Sequence, residues 1–171
     1  MSKRDLKKYI SELSKPQLEE QIIELYEKFK DVSVFYNFVF NPNERNIIKD
    51  AKIKISNEYY PIRGKRSKMR RSVAQKFIKH FITLGVDAFA IADLMLYHIE
   101  IAQTFSSEKI INQDAFFKSM LSSLEQSIAF MIEKGILDDH KSRVVAIKNE
   151  CIAQNWRNAY EFNALIERFD Y

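Results

Sequence analysis

Apolar positions recur at helical spacing along most of the chain. In the opening DLKKYISEL, Leu6, Ile10 and Leu13 are three or four residues apart, a period that predicts an amphipathic helix. Ser14 and Gln17 form a capping box at the start of the next one. Only three glycines and three prolines occur, too few for the turns of an all-β fold. The pattern predicts an all-α, single-domain antiparallel helical bundle of about seven or eight helices.

The same pattern divides the chain into three parts within one domain over 1–171. Helices fill 1–60, a basic loop with Pro61 and Gly64 occupies 61–67, and helical hairpins follow over 68–171. The stretch 32–40 is dense in β-branched and aromatic residues, which by propensity favours a strand. Because its neighbours are helical, we interpret it as a short buried helix, and the choice between helix and strand stays open.

Positive charge is concentrated in one stretch. RGKRSKMRRSVAQKFIKH, from Arg63 to His80, contains eight lysines and arginines and no acidic residue, whereas residues 81–171 contain 8 basic and 13 acidic residues. Local charge is better evidence for a site than diffuse charge. On a helix from about Lys68 to Leu84, the cations would form a polar face opposite an apolar one. The candidate partner-binding or anion-binding residues, which form a basic surface over 63–79, are Arg63, Lys65, Arg66, Lys68, Arg70, Arg71, Lys76 and Lys79.

Three interpretations of this basic surface stay open. It is a solvated helix face, or it binds an acidic protein partner, or it binds nucleic acid through phosphates, since arginine grips carboxylate and phosphate alike. Against nucleic acid, Phe77 and Phe81 fall on the core side of the helix and offer no stacking platform. We favour an acidic protein partner and keep nucleic acid as the alternative. A homo-oligomer is possible, because another copy also carries acidic helices.

The next predicted helix, from about Ala88 to Phe105, is apolar but carries two carboxylates on one stripe. Asp93 and Glu100 share that stripe and His98 lies on another side, so an acid/base site near these three residues is conceivable. The two carboxylates are two helical turns apart, roughly 10 Å, too far to share a proton. The two carboxylates could instead form ion pairs with Lys or Arg of the basic helix. We then expect His98 to be a hydrogen-bonded core histidine. An enzyme is therefore the second alternative.

Other chemistry is not indicated. The three histidines show no metal-binding spacing, no cysteine pair exists, and no glycine-rich phosphate loop occurs. Cys151 lies in a helical pattern beside apolar residues, which favours an inert packing cysteine. A single cysteine suits a reducing compartment, and the most apolar segment is too short to span a bilayer. We expect no catalytic residues, no metal, no cofactor and no membrane partner, and a cytoplasmic location.

Four segments carry a resemblance to a known family. They are SKRDLKKYISELSKPQLEEQIIELYEKF, FVFNPNE, RRSVAQKFIKHFITLGVD and IADLMLYHIEIAQTF. Together they resemble a family of uncharacterised bacterial proteins, a domain of unknown function, over essentially the whole chain. The resemblance implies a bacterial, cytoplasmic, single-domain protein, and it implies no activity, cofactor or site. From the residues themselves we expect a non-enzymatic macromolecular interaction module that uses the basic surface over 63–79.

Overall fold

The computed structural model of the protein describes residues 2–62 and 66–169 and confirms the all-α prediction. Within these residues every regular element is a helix, and there are nine, slightly more than expected. Their bounds are α1 Lys3–Ser11, α2 Lys15–Lys28, α3 Lys30–Phe40, α4 Glu44–Tyr59, α5 Arg71–Leu84, α6 Ala88–Glu108, α7 Asp114–Lys134, α8 Leu137–Ala153 and α9 Ala159–Glu167. Residue contacts group into two compact units, Met1–Asn43 and Glu44–Tyr171. A single domain over 1–171 stays a prediction.

The first unit contains α1 to α3, and α2 packs against α3. The backbone N–H of Ser14 donates to Gln17 Oε1 at 2.9 Å at the start of α2, as the capping pattern predicts. The stretch 32–40 lies in α3 and is helix, not strand. The expectation that this helix is buried is wrong, because no side chain of α1, α2 or α3 is buried. Three short helices are too few to enclose a core of their own.

The second unit contains α4 to α9 around a central helix. Helix α6 contacts α4, α5, α7 and α8, and ten of its side chains are buried. The turn before it follows the sequence signals: Gly85 closes α5 in the left-handed region at φ 76°, and the Asp87 carboxylate accepts from the N–H of Ala90 at 3.0 Å. Phe162, Leu165 and Ile166 of α9 are buried within this unit. Helix α6 therefore has neighbours on nearly every side.

Candidate functional site

The basic segment before α5 is anchored to the end of α4. The N–H groups of Lys68 and Met69 both donate to the carbonyl oxygen of Glu58, at 2.9 and 3.0 Å. Met69 adopts a φ of 50°, a left-handed conformation that is uncommon for residues other than glycine. Helix α5 consequently begins at Arg71, and the expectation that it begins near Lys68 is wrong. The physical reason is that Glu58 draws these N–H groups into a turn, away from helical hydrogen bonds.

Among the described residues of this segment, Arg70 is the predicted site residue that forms an ion pair within the molecule. Its Nε and Nη2 donate to the two carboxylate oxygens of Glu58, each at 2.8 Å. The fork geometry is the strong, bidentate kind, and the hydrogen bonds from Arg70 hold the pKa of Glu58 below its usual value. Arg70 lies immediately before the first residue of α5. Its charge is largely cancelled at the surface.

Arg71 is half-buried where α5 meets α7. Its Nε donates to Ser123 Oγ at 2.8 Å. When the Gln75 amide is oriented with its oxygen towards the guanidinium, that oxygen accepts from Arg71 Nη2 at 2.9 Å. Burial lowers the pKa of Arg71, and within residues 2–62 and 66–169 no carboxylate forms an ion pair with it. Its positive charge is therefore uncompensated.

Four further predicted cations, all within the described residues, point into water. Arg66, Lys68, Lys76 and Lys79 are exposed, and in the described part of the chain none of them forms an ion pair. Lys76 and Lys79 lie about 60° apart around α5, at the helical angle of 100° per residue. The structure thus supports the expected polar face for these two residues. Arg63 and Lys65 lie outside the described residues.

Two basic clefts flank the start of α5. The first basic cleft, of about 550 Å³, is lined by Arg66, Lys68 and Arg71 together with the first turn of α7. The second basic cleft, of about 650 Å³, lies towards α4. Its basic lining residues are Lys54, Arg70, Lys76 and His80. The basic surface is therefore two concave sites on either side of one helix, and sequence reasoning missed Lys54 because it belongs to α4.

Aromatic side chains do not offer a free face beside these cations. Phe81 is buried at 3% exposure, as the helical wheel predicts. Phe77 is only half-buried and lines the second basic cleft, which differs from the expected core position. The ammonium of Lys54 lies over its ring, 5.4 Å from the centroid, a cation–π distance. The open side of the ring is thus already in contact with a cation.

The two carboxylates of the polar stripe on α6, Asp93 and Glu100, are held by cations from other helices. Arg143 of α8 lies between them: its Nη1 donates to Asp93 Oδ1 at 2.7 Å and its Nη2 to Glu100 Oε2 at 2.8 Å. Lys52 of α4 lies 2.6 Å from Asp93 Oδ2. The expectation that the cations come from the basic helix is wrong, because α4 and α8 cover this face of α6. Sequence reasoning missed Arg143 and Lys52, and no spacing along the chain marks either of them.

These ion pairs fix the charge state of the stripe. Burial by itself would raise the pKa of Asp93, but the hydrogen bonds from Lys52 and Arg143 outweigh it and hold that pKa below the usual value. The same carboxylates raise the pKa of Arg143. An ionised, fully paired carboxylate is a poor general acid at neutral pH. The stripe therefore has the properties of a structural ion-pair network.

His98 is not part of this stripe. It is buried at 2% exposure and lines a different cleft, between α5, α6 and α7. Burial, and then the positive charge of Arg71, lower the pKa of His98 to about 4. Neither of its ring nitrogens has a hydrogen-bond partner in the described residues, so the expectation of a hydrogen-bonded core histidine is wrong. The structure does not assemble Asp93, His98 and Glu100 into one site.

Cys151 is fully buried and free. Gln103 Nε2 lies 3.2 Å from its Sγ, and burial raises the pKa of the thiol to about 12. The thiol is therefore protonated and unreactive at neutral pH, as expected of a packing cysteine.

In the ranges 2–62 and 66–169, no three His, Cys, Asp or Glu side chains cluster as they would around a metal ion. Nor does any helix there combine the length and the apolar character that crossing a bilayer requires.

Comparison with known families gives one match. The model of a family of unknown function (DUF6155) matches residues 1–170. The chain belongs to this family. No curated protein and no solved structure matches the chain. The family resemblance seen in the sequence is confirmed, and membership in DUF6155 names no activity, ligand or partner.

Proposed function

We propose that this DUF6155 member is a non-enzymatic interaction protein of the bacterial cytoplasm that binds an acidic protein partner through its basic surface. The observation that carries the proposal is uncompensated positive charge. Arg66, Lys68, Arg71, Lys76 and Lys79 have no ion-pair partner in the described residues. Stability does not require such a cluster, since exposed ion pairs contribute little and like charges repel. A partner that supplies carboxylates would turn this repulsion into attraction.

The shape of the surface supports an acidic helix as the partner element. Lys76 and Lys79 are three residues apart and exposed on α5, so carboxylates three or four residues apart on a facing helix could meet both. The first basic cleft adds Arg66 and Arg71 at one end of the same ridge. A partner that contacts both the exposed lysines and the first basic cleft is held at two separate points, which fixes its orientation. Electrostatic complementarity of this kind mainly sets specificity and the rate of association.

Nucleic acid is the second candidate, and one observation favours it. The first basic cleft combines two arginines and a lysine with the first turn of α7, a donor set that suits phosphate as well as carboxylate. Against it, the ring of Phe77 is covered by Lys54. Single-strand binding relies on aromatic faces that stack on bases. The acidic protein partner therefore remains the first candidate.

Fluorescence anisotropy distinguishes the two candidates. The probes are a labelled acidic helical peptide with glutamates three and four residues apart, single-stranded RNA and double-stranded DNA, each titrated at several salt concentrations. The proposal expects binding of the peptide and much weaker binding of both nucleic acids. Phosphate contacts by five cations would instead give a slope of about −4.5 in a plot of log affinity against log salt concentration for double-stranded DNA. Tight, salt-dependent binding of nucleic acid without peptide binding would make nucleic acid the leading candidate.

A matched pair of variants assigns the binding to the surface. The test variant changes Arg66, Lys76 and Lys79 to Glu. The control changes three other exposed cations of the second unit to Glu, one arginine and two lysines: Arg45, Lys49 and Lys118. Both variants change the net charge equally, so a general charge effect weakens binding in both. The proposal expects loss of peptide binding in the test variant only. Equal loss in both variants would contradict a localised site.

Self-association through the same surface is a special case of the proposal. The second half of the chain carries the acidic excess, so another copy could supply the carboxylates. Light scattering on the wild-type chain and on the Arg66, Lys76 and Lys79 variant tests this. A dimer that the substitutions dissociate would make the partner a second copy.

A further inference from the structure

A separate cleft, the histidine cleft, lies on the other side of α5. It is formed by α5, α6 and α7, has a volume of about 500 Å³, and is not part of the two basic clefts. This volume is within the usual range for small-molecule sites. Its lining surface is mainly apolar and includes Ile78, Ile82 and Met95. Among its polar side chains, His98 and Ser127 are almost completely buried, at 2% and 1% exposure. An apolar cavity with a few convergent polar groups is the usual form of a ligand site.

His98 is the group in this cleft whose hydrogen-bonding capacity is unused. Only 2% of it is exposed, and in the described residues neither ring nitrogen has a partner. On its other side lies the ring of Tyr59, whose centroid is 6.2 Å away and whose hydroxyl is also without a partner. Buried polar side chains are nearly always hydrogen-bonded, so this histidine calls for a partner that the protein itself does not supply.

The electrostatic surroundings of the cleft are positive. Arg71 lies directly behind Gln75 and Ser123, which contact its guanidinium and also line the cleft. Lys79 contributes a second positive charge at the exposed edge. The lining residues include no aspartate or glutamate. A negatively charged group in the cleft would therefore lie near Lys79 at its edge and in the field of Arg71 behind its wall, with no competing carboxylate in the lining.

The two serine hydroxyls that line the cleft cannot donate hydrogen bonds to a ligand. Ser127 Oγ donates to the carbonyl oxygen of Ser123 at 2.7 Å, and Ser123 Oγ donates to that of Ser119 at 2.9 Å. Because these protons are committed to the helix backbone, the hydroxyls can only accept from a ligand. Donation to an anion falls to His98 inside the cleft, and to the amides and the Lys79 ammonium at its edge. A ligand with one small anionic group matches these few donors better than an extended polar ligand does.

We propose that the histidine cleft binds a small organic carboxylate with an apolar body. The carboxylate lies inward, where it accepts from the ring N–H of His98 in the positive field of Arg71. The apolar body extends outward along Ile78 and Ile82. This proposal concerns a small molecule and not a macromolecular partner. Arg71 and Lys79 border both sites, but only the histidine cleft depends on His98, so either proposal can fail without the other.

Isothermal titration calorimetry with matched probe pairs tests the ligand class. The probes are benzoate, 3-phenylpropionate, 4-phenylbutyrate, hexanoate and octanoate, each compared with its neutral primary amide. The proposal expects at least one carboxylate to bind, with its amide weaker by about tenfold or more. Equal affinity for an acid and its amide would overturn the anionic class. Absence of binding by every carboxylate up to about 5 mM, weaker than any useful site, would overturn the proposal.

Two isoleucines at equal exposure provide the location control. Ile82 lines the cleft and Ile132 does not, and both are 47% exposed. Ile82→Trp places a large side chain at the mouth, whereas Ile132→Trp makes the same change elsewhere. The proposal expects a loss of carboxylate affinity of about tenfold or more in Ile82→Trp and none in Ile132→Trp. Binding that survives Ile82→Trp unchanged would place the ligand outside this cleft.

His98→Leu tests the inward position of the carboxylate. Leucine has an apolar side chain of similar size and lacks the ring N–H. The proposal expects the difference in affinity between acid and amide to shrink to about threefold or less, while circular dichroism and thermal unfolding show a folded chain. An undiminished preference for the acid in folded His98→Leu would overturn the assignment of His98 as the carboxylate donor.

Discussion

Replacement of His98 by leucine should change how the stability of the second unit depends on pH. Burial, and then the charge of Arg71, lower the pKa of this imidazole to about 4 in the folded chain, against about 6.5 for an unperturbed histidine. Between these two values the unfolded chain binds a proton at His98 and the folded chain does not. Stability must therefore fall as the pH falls through this window.

The size of the effect follows from the two pKa values. Between pH 7.5 and pH 4.5, a histidine with these values lowers the free energy of unfolding by about 2 to 3 kcal/mol. His98→Leu removes this contribution, so the stability of the variant should decline less over the same range. At pH 7.5 the variant should also be more stable by about 1 kcal/mol, because it no longer buries two unpartnered nitrogens. Asp93, whose pKa is lowered, loses its contribution only at more acidic pH and does not disturb the comparison.

Urea unfolding followed by tryptophan fluorescence measures both effects. Trp156 is the only tryptophan, is 5% exposed, and packs against the rings of Phe116 and Phe117, so it reports on the second unit. His80→Leu is the control, since His80 is exposed. Parallel pH dependence in wild type and His98→Leu would refute the reasoning. If His98→Leu instead had a free energy of unfolding more than about 1 kcal/mol below that of the wild type at pH 7.5, the ring nitrogens of His98 would have to be hydrogen-bonded in the folded chain.

Three further predictions concern the second unit. Arg143→Met should lower the free energy of unfolding by about 2 kcal/mol, because Asp93 and Glu100 lose their shared cation while half-buried; addition of Asp93→Asn and Glu100→Gln should recover much of the loss in urea unfolding. Gly135→Ala should lower the free energy of unfolding by about 1 kcal/mol, because a residue with a Cβ is strained at a φ of +70°. No atom lies within 4 Å of the new Cβ, so no steric clash adds to this strain. An unchanged urea midpoint would contradict this. Cys151 should resist a thiol reagent at pH 8 in the folded chain and react on unfolding, since burial raises its pKa to about 12; rapid native labelling would show a more open core.

The fold could be predicted because its signals are local. A 3.6-residue apolar period and caps such as Gly85 and Asp87 depend on neighbours within a few residues. The start of α5 could not be predicted in this way, because Lys68 and Met69 donate to Glu58, ten residues back in another helix. Sequence periodicity continued the helix through a segment that a tertiary contact holds in a turn.

The charge of the candidate site was only partly predictable for the same reason. Sequence gives the number of cations in 63–79, but the neighbours decide which of them stay free. Glu58 cancels Arg70, whereas Arg71 contacts Ser123, 52 residues away. Similarly, the α6 stripe indicated paired carboxylates, but only the packing of α8 shows that Arg143 lies between them. Long-range pairing of this kind has no signature in spacing along one helix.

The central position of α6 has a consequence for hydrogen exchange. A helix that contacts α4, α5, α7 and α8 cannot expose its amide protons by the opening of one neighbour alone. Its buried face, which includes Leu94, Leu96 and Ile99 at 0% exposure, becomes accessible to water only when several interfaces separate together. The slowest-exchanging amides of the second unit should therefore lie in α6 and exchange by global opening. Their protection would measure the stability of the whole unit, residue by residue, without added denaturant.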